Sequence, residues 1–209
     1  MKNSIPKNRI LLRGAALALA LCLLFSCAAC GKKNTATALR ADLSGRVYTL
    51  DPQYCSTALE RCLLKNCMEG LLRRLPDGTM AEGCAESYSV SADGLRYTFT
   101  LRENLQWSDG EPLTAKDFVF AFRRLFRAET NSPYAVEFAA LENSAAVLAG
   151  QMPESALGVT ASGPLTLVFH LSSADDNFLE KLTLPGAMPC DEEFFNSTRG
   201  TYGLNASST

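Results

Sequence analysis

Large apolar residues at every second position in two segments constrain the fold of this chain more than any other feature of its sequence. The segments cover residues 95–102 and 165–171, and a period of two is typical of half-buried β-strands. Residues 87–91 are joined to the first segment through Ala92-Asp-Gly94, which favours a hairpin turn. The residues predicted to face the core are Tyr97, Phe99 and Leu101, then Leu165, Leu167, Phe169 and Leu171.

Helical patterns alternate with these strands. Thr114 and Asp117 have the spacing of a helix cap, and the apolar stripe that follows consists of Phe118, Phe122, Leu125 and Phe126. Shorter elements are predicted as a strand at 46–50, a helix at 143–149, and helices opening at Asp175-Asp176 and at Asp191-Glu-Glu193. Together these elements predict a mixed α/β domain of the α+β class.

A further helix is predicted over residues 58–72. Thr57 and Glu60 form a capping box ahead of it, and apolar residues recur behind them at helical spacing. Cys62 and Cys67 fall on the apolar side of this helix, so they are predicted to be buried thiols that pack as small hydrophobic groups.

The first thirty residues predict an export signal rather than part of the domain. A basic start is followed by an uncharged apolar run over residues 14–25, which is the pattern of a secretory signal peptide. Lys32 and Lys33 close the run early, before the roughly 20 apolar residues that a membrane-spanning helix requires.

The end of this signal resembles the lipobox of bacterial lipoproteins, in which a cysteine after small residues is acylated. Cys27 has Leu24 three residues upstream, and Cys30 follows Ala28-Ala29. Both remain candidates for lipidation, with cleavage before one or the other.

Charge and motif content argue against nucleic-acid binding and show no evident catalytic set. The chain has 20 basic and 22 acidic residues, and removing the basic signal leaves a mature charge of about minus six, without the basic footprint that nucleic acid requires. The five cysteines beyond the signal contain no C-x-x-C pair. His170, the single histidine, is predicted on the outer face of its strand. No catalytic residue, metal site or cofactor is therefore expected.

A series of short motifs resembles the oligopeptide-binding branch of the extracellular solute-binding proteins that serve ABC transporters. The motifs occur in family order over about 140 residues. They are Leu50-Asp-Pro52, Met68-Glu-Gly-Leu71, Asp77-Gly78, Ala85-Glu-Ser87, Ser91-Ala-Asp-Gly94, Tyr97-Thr-Phe-Thr-Leu-Arg102, Trp107-Ser-Asp-Gly110, Pro112-Leu-Thr-Ala115, Asp117-Phe-Val119, Arg123-Arg-Leu125 and Ser132-Pro-Tyr-Ala135.

This resemblance implies the amino-terminal portion of a two-lobed, clamshell-like periplasmic binding protein, with the family's extra α/β domain. The implied organisation is a lipoprotein signal at 1–30, a tether and first piece of lobe I at 31–68, the inserted α/β domain at 69–190, and a truncated return to lobe I at 191–209. The second lobe would be missing, and residues 31–209 alone are expected to bind peptides no better than about millimolar, roughly −4 kcal/mol.

The resemblance also implies ligand-binding residues and partners. The expected ligand-binding residues are Cys55, Ser56, Thr57, Ala58 and Tyr134, and the expected partners are oligopeptides, the permease subunits of an ABC transporter, and the membrane through the lipid anchor. The expected location is outside the cytoplasm on the cell membrane. Helix capping for Ser56 and Thr57, and core packing for Tyr134, are alternative roles for those residues.

Three alternative functions remain open at this point. A nickel- or haem-binding relative shares the fold implied by the resemblance, and a surface receptor that senses signalling peptides has the same sequence features. An extracellular hydrolase is the third, although the sequence offers no evident nucleophile, carboxylate pair or metal set for it.

Overall fold

A four-stranded antiparallel sheet lies at the centre of the structure, a computed structural model that describes residues 44–204. The strands are β1 (Leu72–Arg74), β2 (Met80–Glu82), β3 (Ala85–Val90), β4 (Arg96–Leu101), β5 (Val159–Gly163) and β6 (Thr166–His170). The four strands of the sheet lie in the order β3-β4-β6-β5, and β1 and β2 form a separate two-stranded antiparallel ribbon.

The register of β4 against β6 builds the core face of this sheet. Tyr97 lies opposite Phe169, and Phe99 lies opposite Leu167. All four side chains are buried, and the rings of Phe99 and Phe169 meet edge to face with their centroids 5.8 Å apart. The predicted hairpin and the predicted alternation of both segments are confirmed.

The helices are α1 (Ala58–Cys67), α2 (Ala115–Leu125), α3 (Ser144–Leu148), α4 (Phe178–Lys181) and α5 (Glu192–Ser197). The predicted capping box of Thr114 and Asp117 begins α2. Its aromatic stripe packs on the sheet, where the Phe122 ring lies 5.0 Å from that of Phe169. The predicted mixed α/β character is therefore confirmed.

Helix α1 differs from its prediction in length and in its buried face. It ends at Cys67 instead of continuing to Leu72, because Met68 is extended and the following residues pair with the chain at 83–85. Cys62 and Cys67 are exposed, so the prediction that they are buried was wrong. The helix instead buries Glu60 and Leu64.

Residues 46–50 do not form the predicted strand. The N–H of Leu50 donates to the carbonyl of Gly203 at 2.6 Å, whereas the N–H groups of Tyr48 and Thr49 donate to the Glu60 side chain. A carboxylate therefore replaces the neighbouring strand that this segment would need.

The two late helices begin near their predicted acidic residues. Asp191 caps α5 and accepts from the N–H of Phe194. The helix predicted to open at Asp175-Asp176 begins later, at Phe178, with Asn177 as its N-cap. Asp175 lies just outside the helix and binds Lys181 at 2.7 Å.

The predicted signal peptide, with Cys27 and Cys30, lies outside the described residues. Across residues 44–204, none of the helices combines the length and the apolar character needed to cross a bilayer.

Candidate functional site

Two of the segments predicted to line the ligand site meet in the structure. The Cys55 thiol and the Tyr134 hydroxyl lie 3.2 Å apart, although 79 residues separate them in the chain. Nearby, the hydroxyl of Ser132 donates to the carbonyl of Gln53 at 2.5 Å and accepts from the N–H of Tyr134. These contacts join the segment before α1 to the segment that follows α2.

The predicted ligand residues differ in their exposure. Cys55 and Tyr134 are buried, Thr57 is half-buried, and Ser56 and Ala58 are exposed. Burial raises the pKa of the Cys55 thiol and of the Tyr134 hydroxyl, so both groups are neutral near pH 7 and their contact is a hydrogen bond between uncharged groups.

Gly186 leaves the space that the Tyr134 ring occupies. A Cβ atom at position 186 would lie 2.4 Å from Cγ of Tyr134, which is far inside van der Waals contact. The absence of a side chain at this position therefore permits the ring to sit against the 185–187 turn.

Glu60 holds the main chain around the predicted ligand residues. Its carboxylate accepts from the N–H groups of Ser56 and Thr57 at 3.1 and 3.0 Å, and from those of Tyr48 and Thr49 at 2.9 and 3.1 Å. Burial acts to raise the pKa of Glu60, but these hydrogen bonds to the charged form outweigh it and hold the pKa at about 2. The buried side chain is therefore a carboxylate throughout the physiological range.

The same contacts limit which main-chain groups at 55–58 are available to a ligand. The N–H groups of Ser56 and Thr57 are taken by Glu60, and that of Cys55 donates to the Asp51 carbonyl at 2.9 Å. The Ser56 carbonyl accepts from Nη1 of Arg61 at 2.6 Å. The N–H groups of residues 55–57 are therefore not available to a ligand, and the guanidinium of Arg61 lies over the Ser56 carbonyl.

A buried ion pair lies immediately before this segment. Arg124 of α2 donates to both carboxylate oxygens of Asp51, and its Nη1 also donates to Oε1 of Gln53 at 2.6 Å. Nε2 of Gln53 donates to the Met188 carbonyl at 2.9 Å. The guanidinium carbon of Arg124 lies over the Phe195 ring, 4.4 Å from the ring centroid.

Sequence reasoning missed Arg61 and the network of Arg124, Asp51 and Gln53. It identified Glu60, but only as a helix cap. The spacing of Thr57 and Glu60 signals the capping box, whereas the contact from Glu60 to Tyr48 and Thr49 has no signal in local sequence.

Two surface grooves lie away from the predicted ligand residues. One, of about 580 Å³, includes Asp93, Arg96, Glu142 and His170 in its lining. The other, of about 290 Å³, lies beside the end of α1 and is partly lined by Lys65. Within residues 44–204 no group of three or more histidine, cysteine or acidic side chains is arranged to hold a metal ion.

Curated relatives of this chain include binding proteins for more than one ligand. It is 31% identical over 182 residues to the dipeptide-binding protein of Lactococcus lactis subsp. cremoris. The aligned region covers 87% of this chain and 33% of that relative. It is 36% identical over 143 residues to YgiS of Escherichia coli, a probable deoxycholate-binding periplasmic protein, covering 68% of this chain and 27% of the relative. The chain thus spans about a third of the length of these relatives or less.

Solved structures give the same relationship for the fold. The structure of Listeria monocytogenes OppA bound to peptide superposes with a TM-score of 0.77 at 28% identity, over 80% of this chain and 33% of that protein. The substrate-binding domain of an oligopeptide ABC transporter from Bacillus anthracis superposes with a TM-score of 0.75 at 38% identity. The match covers 77% of this chain and 31% of that protein. The predicted fold class, part of a two-lobed binding protein of this type, is confirmed by these matches.

A family model independently matches most of the described domain. It is that of the bacterial extracellular solute-binding proteins, family 5 Middle, and it covers residues 79–208 of the 209 in the chain. The motifs that carried the resemblance between Met80 and Ala135 fall inside this match. The chain belongs to the bacterial extracellular solute-binding proteins of family 5.

Proposed function

We propose that the protein to which this chain belongs captures oligopeptides outside the cytoplasm and delivers them to the permease of an ABC transporter. The observation that carries this proposal is the contact between Cys55 and Tyr134, 3.2 Å apart. It joins the two segments expected to contact peptide, in a chain whose relatives include a dipeptide-binding protein and a solved peptide complex.

The proposed site is one wall of a cleft, formed by residues 55–58 and Tyr134. Glu60 and the Arg124–Asp51 pair fix the backbone of this wall before a ligand arrives, which reduces the ordering that binding would otherwise require. Uncharged side chains at 55–58 place no charge requirement of their own on the ligand, which suits a receptor that tolerates many peptide sequences.

The proposed domain organisation assigns 31–68 and 191–209 to lobe I and 69–190 to the inserted domain. Contacts between the two lobe I pieces support this division. Leu50 N–H donates to the Gly203 carbonyl, as does the Thr49 hydroxyl at 3.4 Å.

We further propose export through the signal at 1–30 and a lipid anchor on Cys27 or Cys30. The support is the sequence pattern together with membership of an extracellular family. The anchor would hold the protein on the outer side of the membrane, next to the permease.

The proposed role is binding without catalysis. The family consists of solute-binding proteins, and none of the relatives described above is named for a reaction. A nickel- or haem-binding role has no comparable support, because within residues 44–204 the groove that His170 lines holds no group of three or more side chains arranged to bind a metal ion.

Identifying the natural ligand tests this function. The complete gene product is purified without denaturation, then unfolded, and the released small molecules are analysed by mass spectrometry. We expect short peptides in near-stoichiometric amount. Release of a non-peptide ligand such as deoxycholate, with peptides absent, would overturn the proposed function.

A further inference from the structure

Arg61 adds a charged side chain to the proposed peptide site, and the sequence motifs do not indicate it. It lies in the first turn of α1, and its Nη1 donates to the Ser56 carbonyl at 2.6 Å. The side chain therefore folds back over the segment at 55–58 instead of pointing away along the helix. Its cation stands beside the proposed ligand residues.

Arg61 forms no direct ion pair within the described part of the chain. Among residues 44–204, the same is true of Arg46, Arg96, Arg123 and Arg199. What distinguishes Arg61 is its contact with the segment at 55–58. The neighbouring Glu60 carboxylate is occupied by four main-chain N–H groups.

The guanidinium also has donors to spare and acts on the proposed site. An arginine side chain has five N–H donors in a planar fork. The Ser56 carbonyl engages one nitrogen, and the side chain also interacts with the Tyr134 hydroxyl. Burial raises the pKa of both Cys55 and Tyr134, and the positive charge of Arg61 opposes that rise in each case. The cation thus lies close enough to Cys55 and Tyr134 to favour negative charge at the proposed site.

We propose that Arg61 is a specificity-determining residue that binds a carboxylate of the captured ligand, so that the site prefers carboxylate-bearing peptides. This inference rests on the proposed function. The residues at 55–58 carry no charged side chain, and the Glu60 carboxylate is buried and engaged by main-chain N–H groups, so Arg61 supplies a positive charge with unused donors beside this wall. A planar guanidinium donates two parallel hydrogen bonds to a carboxylate, which an uncharged amide of the same shape cannot accept in the same way.

The carboxylate has two possible sources in a peptide, an acidic side chain or the free carboxyl terminus. A set of otherwise identical peptides separates them: one position carries Glu, Gln or Lys, and each peptide has either a free or an amidated carboxyl terminus. Calorimetry on the complete gene product measures Kd for each peptide with the wild type and with Arg61→Gln, Arg61→Lys and Arg61→Glu. Lys65→Gln is the matched control, since it removes one positive charge from the same helix beside the other groove.

We expect the wild type to bind the carboxylate form of one source about tenfold more tightly than its amide. The preference should persist in Lys65→Gln, be partly retained in Arg61→Lys, disappear in Arg61→Gln and reverse toward Lys in Arg61→Glu. It should also weaken as salt increases. Whichever source shows the preference identifies the carboxylate.

Two results would overturn the inference. Equal affinities for carboxylate and amide peptides in the wild type would show that Arg61 reads no charge, and a preference that survives in Arg61→Gln would assign the recognition elsewhere. In both cases peptide binding itself, and hence the proposed function, would stand. Absence of binding for every peptide would refute the proposed function and this inference with it.

Discussion

Arg124 and Asp51 form a buried ion pair that links α2 to the segment immediately before the proposed ligand residues. Both residues are almost fully buried, and Arg124 contacts both carboxylate oxygens. A buried charge that loses its partner is strongly destabilising because it remains cut off from water.

Arg124→Met is expected to lower the free energy of unfolding by about 3–5 kcal/mol, since Asp51 would be left unpaired. Urea denaturation of the complete gene product measures the change. Arg74→Met is the matched control, because Arg74 pairs with Glu180 at the surface and such pairs contribute about 1 kcal/mol or less. Similar losses in the two variants would contradict the importance of the buried pair.

Glu60 is predicted to make the protein sensitive to acid. Its pKa is about 2 in the folded protein against an ordinary value of 4.5, and this difference corresponds to about 3 kcal/mol of stabilisation. Because the folded pKa is the lower one, the stabilisation is complete above pH 4.5 and is lost as the pH falls toward 2.

Glu60→Gln is therefore expected to be less stable than the wild type near neutral pH, with the difference shrinking between pH 4.5 and 2. Denaturation at a series of pH values gives the comparison. Glu103→Gln, at an exposed position, should follow the wild type throughout. A constant difference between Glu60→Gln and the wild type across that range would contradict the assigned pKa.

The cysteines of the described domain are predicted to fall into two reactivity classes. Cys62 and Cys67 are exposed, whereas Cys55, Cys84 and Cys190 are buried. Burial raises the pKa of Cys84 to about 11 and that of Cys190 to about 12, so their reactive thiolate forms are scarce near pH 8.

Brief alkylation at pH 8 followed by peptide mapping should label Cys62 and Cys67 first. The other three should react only after unfolding in denaturant, which serves as the control for complete labelling. Labelling of Cys55 as fast as Cys62 in the native protein would show that the Cys55–Tyr134 contact is open to solvent.

The local patterns of the sequence were sufficient for the elements but not for the contacts that join them. The buried alternation at Tyr97 and Phe99 depends on neighbouring residues and was predictable. The early end of α1 was missed because its last predicted turn pairs with the chain at 83–85, and tertiary pairing overrides helical spacing. Treating Cys62 and Cys67 as apolar placed the buried face of α1 on the wrong side.

The proposed site shows the same limit. The resemblance supplied Cys55 and Tyr134, and the capping pattern supplied Glu60. The pairing of Arg124 with Asp51 joins residues 73 positions apart, and the fold of Arg61 over Ser56 depends on a side-chain rotamer. Neither leaves a periodic signal in the sequence, so both required the structure.

Lipidation is predicted at the amino terminus of the mature protein. Metabolic labelling with a palmitate analogue should mark the wild type, and the double change Cys27→Ala with Cys30→Ala should abolish the label. The control is Cys62→Ala with Cys67→Ala, which should keep it. A label that survives the first double change, or is absent from the wild type, would refute the lipid anchor.

Calorimetric titration of the complete gene product with a defined pool of short peptides tests the central claim most directly. Burial of the ligand in a cleft, with this wall on one side, is expected to give a Kd of about 1 µM or tighter, whereas residues 31–209 alone should bind no better than about 1 mM because one wall leaves the ligand exposed to water. Micromolar binding by the complete protein would support peptide capture. No detectable binding at millimolar peptide concentrations would contradict it.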